Sequence, residues 1–493
     1  MAGRGAARGI ERYRLVIVGA GSAGLAAADF AARLGVSVAL VERDRVGGDC
    51  TWTGCVPSKA LLHVAELAHT LRDAQSLRVS DARTGMDFAA AMGFVRHAIE
   101  RVHRFETPDV LASRGIIVIH GDARFVDART LDVQGRRIGG ERILIATGAH
   151  PKIPPLDGLD DVRYLTYQTV FDLTELPSRL IVLGGGPVGV ELGQAFQRLG
   201  SQVTVFDRHE RVAAMADPEA SALLQTALER DGVQLKLATR ADRVARSADD
   251  EIVVDIGAKH VAADALLVAT GRRPNVAGLE LDRAGVAWSR EGVVVDDWLR
   301  TSQKHIYACG DAIGSFQFTH YAGWQAVLAV RNMLLPGRSR GRLETVPWTL
   351  FTEPKIAQAG LTERQARERY GAATRVVRWP IERVDRAVTE GETEGFIKLI
   401  HLSNGRLLGG TIVCRRAGEL ANELSVAVSR RLTLASLASA VHVYPTYGFA
   451  LQQAAADGYF DQLTNGRLGA VIRQLANGWP RPRSSPKIRT QPR

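Results

Sequence analysis

Short runs of aliphatic residues, each followed by a glycine-rich turn and a helical stretch, recur along the chain. Residues 15–18 (Leu-Val-Ile-Val) have no polar position, which is typical of a parallel strand buried on both faces. An alanine-rich segment extends to about Leu34, and a second apolar run occupies residues 36–41. The pattern therefore predicts a strand, a helix and a second strand at the start of the chain.

Glycines join this first strand to its helix at Gly19, Gly21 and Gly24, in the pattern G-x-G-x-x-G. Such glycines permit a tight turn and a close backbone approach to a pyrophosphate, which the helix N-terminus stabilises. The second strand ends at Glu42, where a carboxylate can bind a ribose hydroxyl. Because strand, helix, strand and acid all occur in order, the unit indicates a dinucleotide site rather than an ordinary turn.

The same unit occurs a second time. Residues 180–183 form its first strand, and residues 203–206 form a strand that ends at Asp207. Asp207 lies eighteen residues after the last glycine, as Glu42 does in the first unit. The glycines of the second unit are Gly184, Gly186 and Gly189. This internal repeat predicts two dinucleotide-binding lobes in one chain.

The remaining pattern predicts how the chain divides. Two strands end in Ala-Thr-Gly, and the run at 306–311 carries Asp311 to a loop, as if the first lobe were interrupted by the second. Mixed strand and helix patterns after Pro347 predict an α+β domain. A chain of 493 residues is too long for one core. The first lobe is predicted at 1–155 with 280–345, the second lobe at 156–279, and the α+β domain at 346–465. A basic, disordered tail is predicted at 466–493, with one weak amphipathic helix near 468–475.

The formal net charge of +10 is confined to the two ends of the chain. Residues 1–14 carry a net +3 and residues 463–493 a net +7, so the body is formally neutral and no nucleic-acid partner is expected. No apolar run is long enough to span a membrane, and the N-terminus has no apolar signal region. A cytoplasmic location is therefore expected.

Two of the four cysteines, Cys50 and Cys55, lie five apart in a glycine-rich loop before an apolar helical pattern. A flexible loop allows two such thiols to form a disulfide, and a helix N-terminus favours a thiolate. In a cytosolic protein a close cysteine pair is more often catalytic than structural. The pair is therefore predicted to be the redox centre that the rest of the chain serves.

Together these features resemble the class I pyridine nucleotide–disulfide oxidoreductases, which include dihydrolipoamide dehydrogenase, glutathione reductase and mercuric reductase. The resemblance covers about 13–460 and implies an α/β fold of two Rossmann-like domains plus a C-terminal α+β dimerisation domain. Segments 316–326, 347–362 and 385–399 are most similar to mercuric reductase. The motifs that carry it are GAGSAG (19–24), GGDCTWTGCVPSK (47–59), ATG (146–148), GGGPVG (184–189), ATGRRPN (269–275) and CGDA (309–312).

The resemblance implies two cofactors. FAD would lie in the first lobe, with the glycine loop and Glu42 at its adenosine diphosphate half, Asp311 at a ribityl or phosphate group, and Thr147 and Gly148 near the flavin. NADH or NADPH would lie in the second lobe. The residues expected there are Gly184, Gly186, Gly189, Asp207, Arg208 and Gly271. Asp207 favours NADH, whereas Arg208 and Arg211 could bind the 2′-phosphate of NADPH.

The resemblance also implies catalytic roles. Cys55 would be the thiol against the flavin and Cys50 the outer thiol that meets the acceptor. Lys59, paired with Glu191, would stabilise a reduced, anionic flavin. Electrons would pass from the nicotinamide to the flavin, then to the disulfide, and then to a small-molecule acceptor. The family also implies a homodimer, whose third domain completes the partner's site.

The C-terminal segment departs from the family pattern. Disulfide reductases place an acid–base histidine and a glutamate where this chain has Tyr444 and Phe449. A phenol titrates near 10 and an imidazole near 6.5, so Tyr444 is a poor base at neutral pH. His442, two residues earlier, is either a displaced base or a structural histidine. The chain also lacks the C-terminal cysteine pair of mercuric reductase, since its last cysteine is Cys414.

The sequence therefore predicts an FAD-dependent NAD(P)H oxidoreductase with a redox-active Cys50–Cys55 disulfide. Electrons would pass from NAD(P)H through FAD and the dithiol to an oxidised acceptor, as the resemblance to mercuric reductase implies. Quinones, soft metals, a small disulfide and oxygen are the candidate acceptors. A dihydrolipoamide dehydrogenase-type reductase with His442 as base is one alternative. The other is a redox sensor with little turnover that contacts a membrane surface through 466–493, which is rich in arginine and contains Trp479.

Overall fold

The computed structural model describes residues 9–76 and 86–478. The chain divides into two compact units. The first comprises Met1–Val346 with Leu350–Glu353, and the second comprises Pro347–Thr349 with Pro354–Arg493.

The first part of the first unit contains the predicted strand, helix and strand, followed by the cysteine loop. Its elements are β1 (Glu11–Val18), α1 (Ser22–Arg33), β2 (Val38–Glu42), α2 (Gly48–Trp52), α3 (Cys55–Ser76), α4 (Phe88–His103), α5 (Pro108–Ser113), β3 (Ile116–His120), β4 (Ala123–Asp127), β5 (Thr130–Val133), β6 (Arg136–Ile145) and β7 (Ala149–Pro151).

The repeat follows, and the chain then returns to the first sheet. The elements are β8 (Arg179–Leu183), α6 (Pro187–Leu199), β9 (Gln202–Phe206), α7 (Pro218–Arg230), β10 (Gln234–Lys236), β11 (Arg243–Arg246), β12 (Ile252–Ile256), β13 (Lys259–Ala263), β14 (Ala265–Val268), β15 (Arg272–Pro274), β16 (Trp288–Ser289), β17 (Gly292–Val293), β18 (Ile306–Ala308) and α8 (Thr319–Leu334).

The first unit contains two sheets with parallel strands at their centre, the antiparallel sheet β11-β12-β13, and two short antiparallel pairs. The first has the order β3-β2-β1-β6-β5-β4, and β18 pairs with β6 in parallel. The second has the order β10-β9-β8-β14. Within β1, Leu15, Val16 and Ile17 are fully buried, as their uninterrupted apolar run predicts. The strands β3-β2-β1-β6 and β10-β9-β8-β14 are parallel, whereas β5 and β4 extend the first sheet antiparallel. The carboxyl ends of the parallel strands share one edge of each sheet, where both glycine loops begin.

Helices cover the first sheet because their small residues allow close packing. The buried face of α1 consists of glycine and alanine, and it packs against α8. A short antiparallel pair, β7 with β15, joins the ends of the two Ala-Thr-Gly segments. The Rossmann-like topology of both repeats confirms the predicted fold class.

The second unit is built on a five-stranded sheet of order β19-β20-β23-β22-β21, with helices packed against its buried face. The strand and helix patterns predicted after Pro347 occur where expected, so this unit has the predicted α+β character. Its elements are β19 (Trp348–Leu350), β20 (Ile356–Gly360), α9 (Glu363–Tyr370), β21 (Thr374–Pro380), α10 (Asp385–Glu390), β22 (Phe396–Leu402), β23 (Leu407–Val413), α11 (Ala417–Ser429), α12 (Leu434–Ser439), α13 (Tyr447–Thr464) and α14 (Gly466–Gly478).

The tail predicted at 466–493 begins with a helix, which includes the weak amphipathic helix predicted near 468–475. Helix α14 occupies Gly466–Gly478, a stretch without proline, and Pro480 and Pro482 follow it. Val471 and Leu475 on this helix are 52% and 61% exposed. Residues 479–493 lie outside the described residues. In the part of the chain that the structure describes, no helix is long and apolar enough to cross a membrane.

Candidate redox site

Two glycines fix the start of the cysteine loop. Gly47 and Gly48 have φ angles of +108° and +57°, which favour glycine. A Cβ on Gly48 would lie 2.7 Å from the Cα of Gly21. The cysteine loop therefore packs directly on the first glycine-rich loop, and α2 and α3 then present Cys50 and Cys55 beside it.

Cys50 and Cys55 are both half-buried, free thiols. Cys55 is the first residue of α3, where the partial positive charge of a helix N-terminus favours an anion. A hydrogen bond from Cys50 lowers the pKa of Cys55 to about 6, although burial opposes this, and Thr319 and Lys59 reinforce it. The same hydrogen bond raises the pKa of Cys50. The helix N-terminus and these opposite shifts both favour Cys55 over Cys50 as the thiolate.

Thr319 is a site residue that the sequence analysis missed. Its hydroxyl lies 3.1 Å from the Cys55 sulfur, at the first residue of α8. A hydroxyl donor stabilises a thiolate more than a thiol. Nothing in the local sequence distinguishes this threonine, because the contact joins positions 264 residues apart.

Lys59 and Glu191 form the ion pair that the resemblance implies. The Lys59 Nζ lies 2.8 Å from a carboxylate oxygen of Glu191, whose side chain is 8% exposed. The other oxygen of Glu191 accepts the Phe351 N–H at 2.8 Å. The Lys59 ammonium also lies 4.5 Å from the centre of the Phe351 ring. Lys59 is thus a fixed positive charge one helical turn after Cys55.

Arg272 of the second Ala-Thr-Gly segment was also missed. Its guanidinium contacts Asp311 at 2.7 Å and Asp49, the neighbour of Cys50, at 2.8 Å. The Tyr167 hydroxyl donates to the same carboxylate of Asp49 at 2.9 Å. Burial raises the pKa of Asp311, while Arg272 opposes this rise. Arg272 therefore ties the second lobe to the cysteine loop and to the loop after β18.

The first glycine-rich loop leaves no room for a side chain at Gly19 or Gly24. A Cβ on Gly19, whose φ is +103°, would lie 2.4 Å from the Ala146 carbonyl oxygen, and one on Gly24 would lie 1.8 Å from the Gly19 carbonyl oxygen. Glu42 closes the loop by accepting the Ala20 N–H at 2.7 Å. These contacts bring the turn and the start of α1 together, as phosphate binding requires.

The second loop repeats this geometry. A Cβ on Gly189 would lie 1.8 Å from the Gly184 carbonyl oxygen, while one on Gly186 would meet nothing within 4 Å. Asp207 accepts the Gly185 N–H at 2.5 Å, as Glu42 does in the first lobe. The two lobes therefore share one hydrogen-bonding pattern as well as one sequence pattern.

The first lobe fits FAD in two further respects. A Cβ on Gly148 would meet nothing within 4 Å, which leaves space at the expected flavin position. The hydroxyls of Thr53 and Ser315, in the loops that follow Cys50 and Asp311, are buried without a protein partner. A bound polar group can satisfy them. The Thr147 hydroxyl is engaged differently, since it donates to the Asn275 carbonyl at 2.7 Å.

Charged residues around Asp207 bear on the choice of nicotinamide cofactor. The second oxygen of Asp207 accepts the His209 N–H at 2.7 Å. Arg208 is exposed, and the Nη1 of Arg211 is buried without a partner. Gly271, which has a φ of +116°, directly precedes Arg272. The structure thus brings the acid and both arginines into one region of the second lobe.

His442 and Tyr444 lie in the second unit. The two ring nitrogens of His442 face the Ala440 carbonyl at 2.9 Å and a Glu423 carboxylate oxygen at 2.6 Å. Burial lowers the His442 pKa, but these two acceptors outweigh it, so the pKa is raised. A ring with both nitrogens facing acceptors has no free lone pair for a substrate proton. This arrangement favours the structural histidine over the displaced base.

Tyr444 is 60% exposed, and its hydroxyl donates to Asp385 at 2.8 Å. That hydrogen bond raises its pKa, which keeps the phenol protonated at neutral pH. Its ring meets Phe449 edge to face at 5.6 Å.

The remaining cysteines, Cys309 and Cys414, are fully buried, and burial raises the pKa of Cys309 to about 12. They are placed as apolar core residues.

Comparison with known families covers most of the chain. A family described as pyridine nucleotide-disulphide oxidoreductase matches residues 13–326, and the dimerisation domain of that family matches residues 346–455. Mercuric reductase of Bacillus cereus is 36% identical over 448 residues, covering 90% of this chain and 71% of the relative. Dihydrolipoyl dehydrogenase of Thermus scotoductus is 34% identical over 460 residues, covering 90% and 97%.

Solved structures agree with these relatives. The HOCl-induced flavoprotein disulfide reductase RclA from Escherichia coli matches with a TM-score of 0.82 and 31% identity, covering 90% of this chain and 99% of that one. LpdA from Mycobacterium tuberculosis matches with a TM-score of 0.82 and 30% identity, covering 91% and 99%. The chain therefore belongs to the pyridine nucleotide-disulphide oxidoreductase family and is an NAD(P)H-dependent flavoprotein oxidoreductase.

Proposed function

We propose that the protein passes electrons from NADH through FAD and the Cys50–Cys55 pair to an acceptor that meets Cys50. The observation that carries this proposal is the environment of Cys55, with a helix N-terminus, the Thr319 hydroxyl and the Lys59 charge around one sulfur. FAD, held by the first glycine loop, Glu42 and Asp311, would supply the two-electron relay between nicotinamide and disulfide.

The two thiols have separate tasks in this proposal. Cys55 holds the negative charge of the reduced pair, and Cys50 holds the proton between them. As Cys50 bonds to the acceptor, it passes its proton to Cys55, so that this step needs no external base. When the acceptor takes two electrons and the Cys50–Cys55 disulfide re-forms, Cys55 releases that proton to solvent. This internal transfer accounts for an enzyme whose Tyr444 and His442 are unsuited to act as bases.

A soft metal ion is the acceptor that these features favour. Several relatives are named mercuric reductase, and a Cu(II) complex of the E. coli RclA matches with a TM-score of 0.80. Thiolates are the preferred ligands of such ions. Reduction of a bound ion consumes electrons but requires no proton delivery to a leaving thiol, whereas disulfide reduction does.

Steady-state rates with Hg(II), Cu(II), lipoamide disulfide, a quinone and oxygen test the acceptor. We expect the highest kcat/KM with a soft metal ion, and a loss of at least about 10³-fold in Cys50→Ser. Cys414→Ser, which changes a buried thiol, serves as the control and retains activity. A higher kcat/KM with lipoamide or quinone, or full metal reduction by Cys50→Ser, would contradict the proposal.

NADH is the proposed donor because a carboxylate at Asp207 accepts a free ribose hydroxyl and repels a 2′-phosphate. Asp207→Asn removes that charge while keeping an acceptor for the Gly185 N–H. We expect it to lower the NADH-to-NADPH ratio of kcat/KM by about tenfold, equal to about 1.4 kcal/mol. A wild-type enzyme that prefers NADPH would refute this assignment.

A homodimer is the proposed assembly. The second unit matches the family's dimerisation domain, and its segment around Tyr444 exposes apolar side chains. Val441 and Val443 are 97% and 75% exposed, which is typical of a surface that another chain covers. Sedimentation equilibrium of the wild type and of Val441→Asp checks this assembly. We expect a dimer that the aspartate weakens, and a fully active wild-type monomer would disprove it.

A further inference from the structure

Gln194 lies one turn after Glu191 on α6, and 1% of its surface is exposed. Its side-chain oxygen accepts the Glu353 N–H at 2.8 Å, and its side-chain nitrogen donates to the Glu353 carbonyl at 2.8 Å. Opposed residues of two antiparallel β-strands exchange the same two bonds, one N–H to carbonyl bond in each direction. Gln194 therefore pairs with the chain at Glu353, within the segment Leu350–Glu353 that belongs to the first unit.

A buried ion pair fixes the orientation of the Gln194 amide. The amide nitrogen also donates to Asp231 at 2.9 Å, and Asp231 contacts Arg198 at 2.7 Å. The Asp231 and Arg198 side chains are 3% and 8% exposed. Because a carboxylate accepts hydrogen bonds and cannot donate them when ionised, the nitrogen of Gln194 must face Asp231. None of these three residues has a part in the electron path described above.

The segment that Gln194 holds also contacts the redox site. Two residues before Glu353, the Phe351 N–H donates to Glu191, and the Phe351 ring lies against the Lys59 ammonium. Lys59 is thus held between the Glu191 carboxylate and the Phe351 ring. The Glu191 carboxylate binds the backbone of the segment 351–353, and the Phe351 ring belongs to this segment, so both groups depend on the segment that Gln194 holds.

We propose that Gln194 is a positioning residue of the redox site, which keeps Phe351 against Lys59 and so directs the Lys59 charge toward Cys55. The inference rests on the proposed function, because the direction of this charge matters only if Cys55 is the redox thiolate. Gln194 touches neither Lys59 nor Cys55, so its effect on them passes through the backbone at 351–353.

The test uses the pH dependence of Cys55 alkylation by iodoacetamide in the reduced holoenzyme, followed by peptide mass spectrometry. Gln194→Leu removes both backbone bonds at similar volume. We expect the apparent pKa of Cys55 to rise by about half a unit, which lowers the thiolate fraction at pH 6 roughly twofold. Phe351→Leu should produce the same rise. The double variant should produce no more than either single change, because both act through one contact.

Gln358→Leu is the matched control, since Gln358 is 3% exposed, hydrogen-bonded to Thr411, and located in the second unit. It should leave the Cys55 profile unchanged. A wild-type profile in either Gln194→Leu or Phe351→Leu would overturn the proposal, and so would additive shifts in the double variant. If Gln194→Leu does not fold, Phe351→Leu decides alone, because Phe351 is 36% exposed. A wild-type enzyme without a low-pKa Cys55 would refute the proposed function instead.

Discussion

The loop that carries Cys50 and Cys55 and the loop around Tyr444 are built in opposite ways. Around the cysteines, each functional group has a fixed partner: Thr319 on the sulfur, Glu191 on Lys59 and Arg272 on Asp49. Around Tyr444, the side chains of Val441, Val443 and Tyr444 are exposed, and the Tyr444 hydroxyl donates to the exposed carboxylate of Asp385. In the proposed function, the contacts around the cysteines fix the electron path to the disulfide, whereas the described residues around Tyr444 include no group that dictates the chemistry of the acceptor.

Lys59→Met gives the largest expected effect among the partners of the cysteine loop. It removes a preorganised charge from a half-buried site, so we expect about a 10²-fold loss of kcat with the best acceptor. Stopped-flow measurement of the NADH-driven half-reaction locates the loss. Lys259→Met, at an exposed position on β13, is the control. A loss confined to the acceptor half-reaction would contradict the role of Lys59 in electron delivery to the cysteine loop.

Thr319→Val tests the hydroxyl on Cys55. A hydrogen bond to a charged group contributes about 1.5 kcal/mol, so the Cys55 pKa should rise by about one unit from its low value. The thiolate would then be lost as the pH falls below about 7 rather than below about 6. The alkylation rate of Cys55 against pH measures this shift. Thr226→Val, on the exposed face of α7, should leave it unchanged, and an unshifted Thr319→Val profile would remove Thr319 from the site.

Changes in the loop around Tyr444 should have the smallest effects on turnover. We expect Tyr444→Phe and His442→Gln to alter kcat/KM by less than about threefold, because neither group supplies a proton in the proposed course. A loss of about 10²-fold in kcat/KM in His442→Gln would show that His442 acts as the displaced base. The loop around Tyr444 would then contain a catalytic group, as the cysteine loop does.

His442 should instead affect stability with a defined pH dependence. Its pKa is raised in the folded protein by Ala440 and Glu423, despite burial. Its stabilisation is therefore fully present below about pH 6.5 and is lost as the pH rises through the raised value. Urea unfolding should show His442→Gln less stable than the wild type at pH 5.5, by less than about 1 kcal/mol, and equal at pH 9.

The sequence predicts local features well, and the structure adds the distant ones. The strands at 15–18 and 180–183 and the acids Glu42 and Asp207 follow from periodicity and spacing, because each depends on neighbours in the chain. Thr319, Arg272 and Gln194 could not be identified in this way, since their partners lie far away in sequence. The amphipathic pattern near 468–475 predicts only part of the helix at Gly466–Gly478, because glycine and polar residues flank its few apolar positions.

The same limit explains His442. Its position two residues before Tyr444 suggested a displaced base, and no sequence pattern connects it with Glu423. Only the fold shows that both ring nitrogens face acceptors. A candidate base can thus be found from its residue type, while its protonation depends on contacts that spacing does not reveal.

In the proposed electron path, Cys55 holds the thiolate beside the flavin and Cys50 meets the acceptor. Anaerobic titration of the holoenzyme with NADH, in the wild type, Cys50→Ser and Cys55→Ser, distinguishes these two roles. We predict a long-wavelength thiolate-to-flavin charge-transfer band in the reduced wild type. Cys50→Ser should retain such a band without reductant, and Cys55→Ser should lack it. A wild type without the band, or a Cys55→Ser enzyme that retains it, would contradict this account.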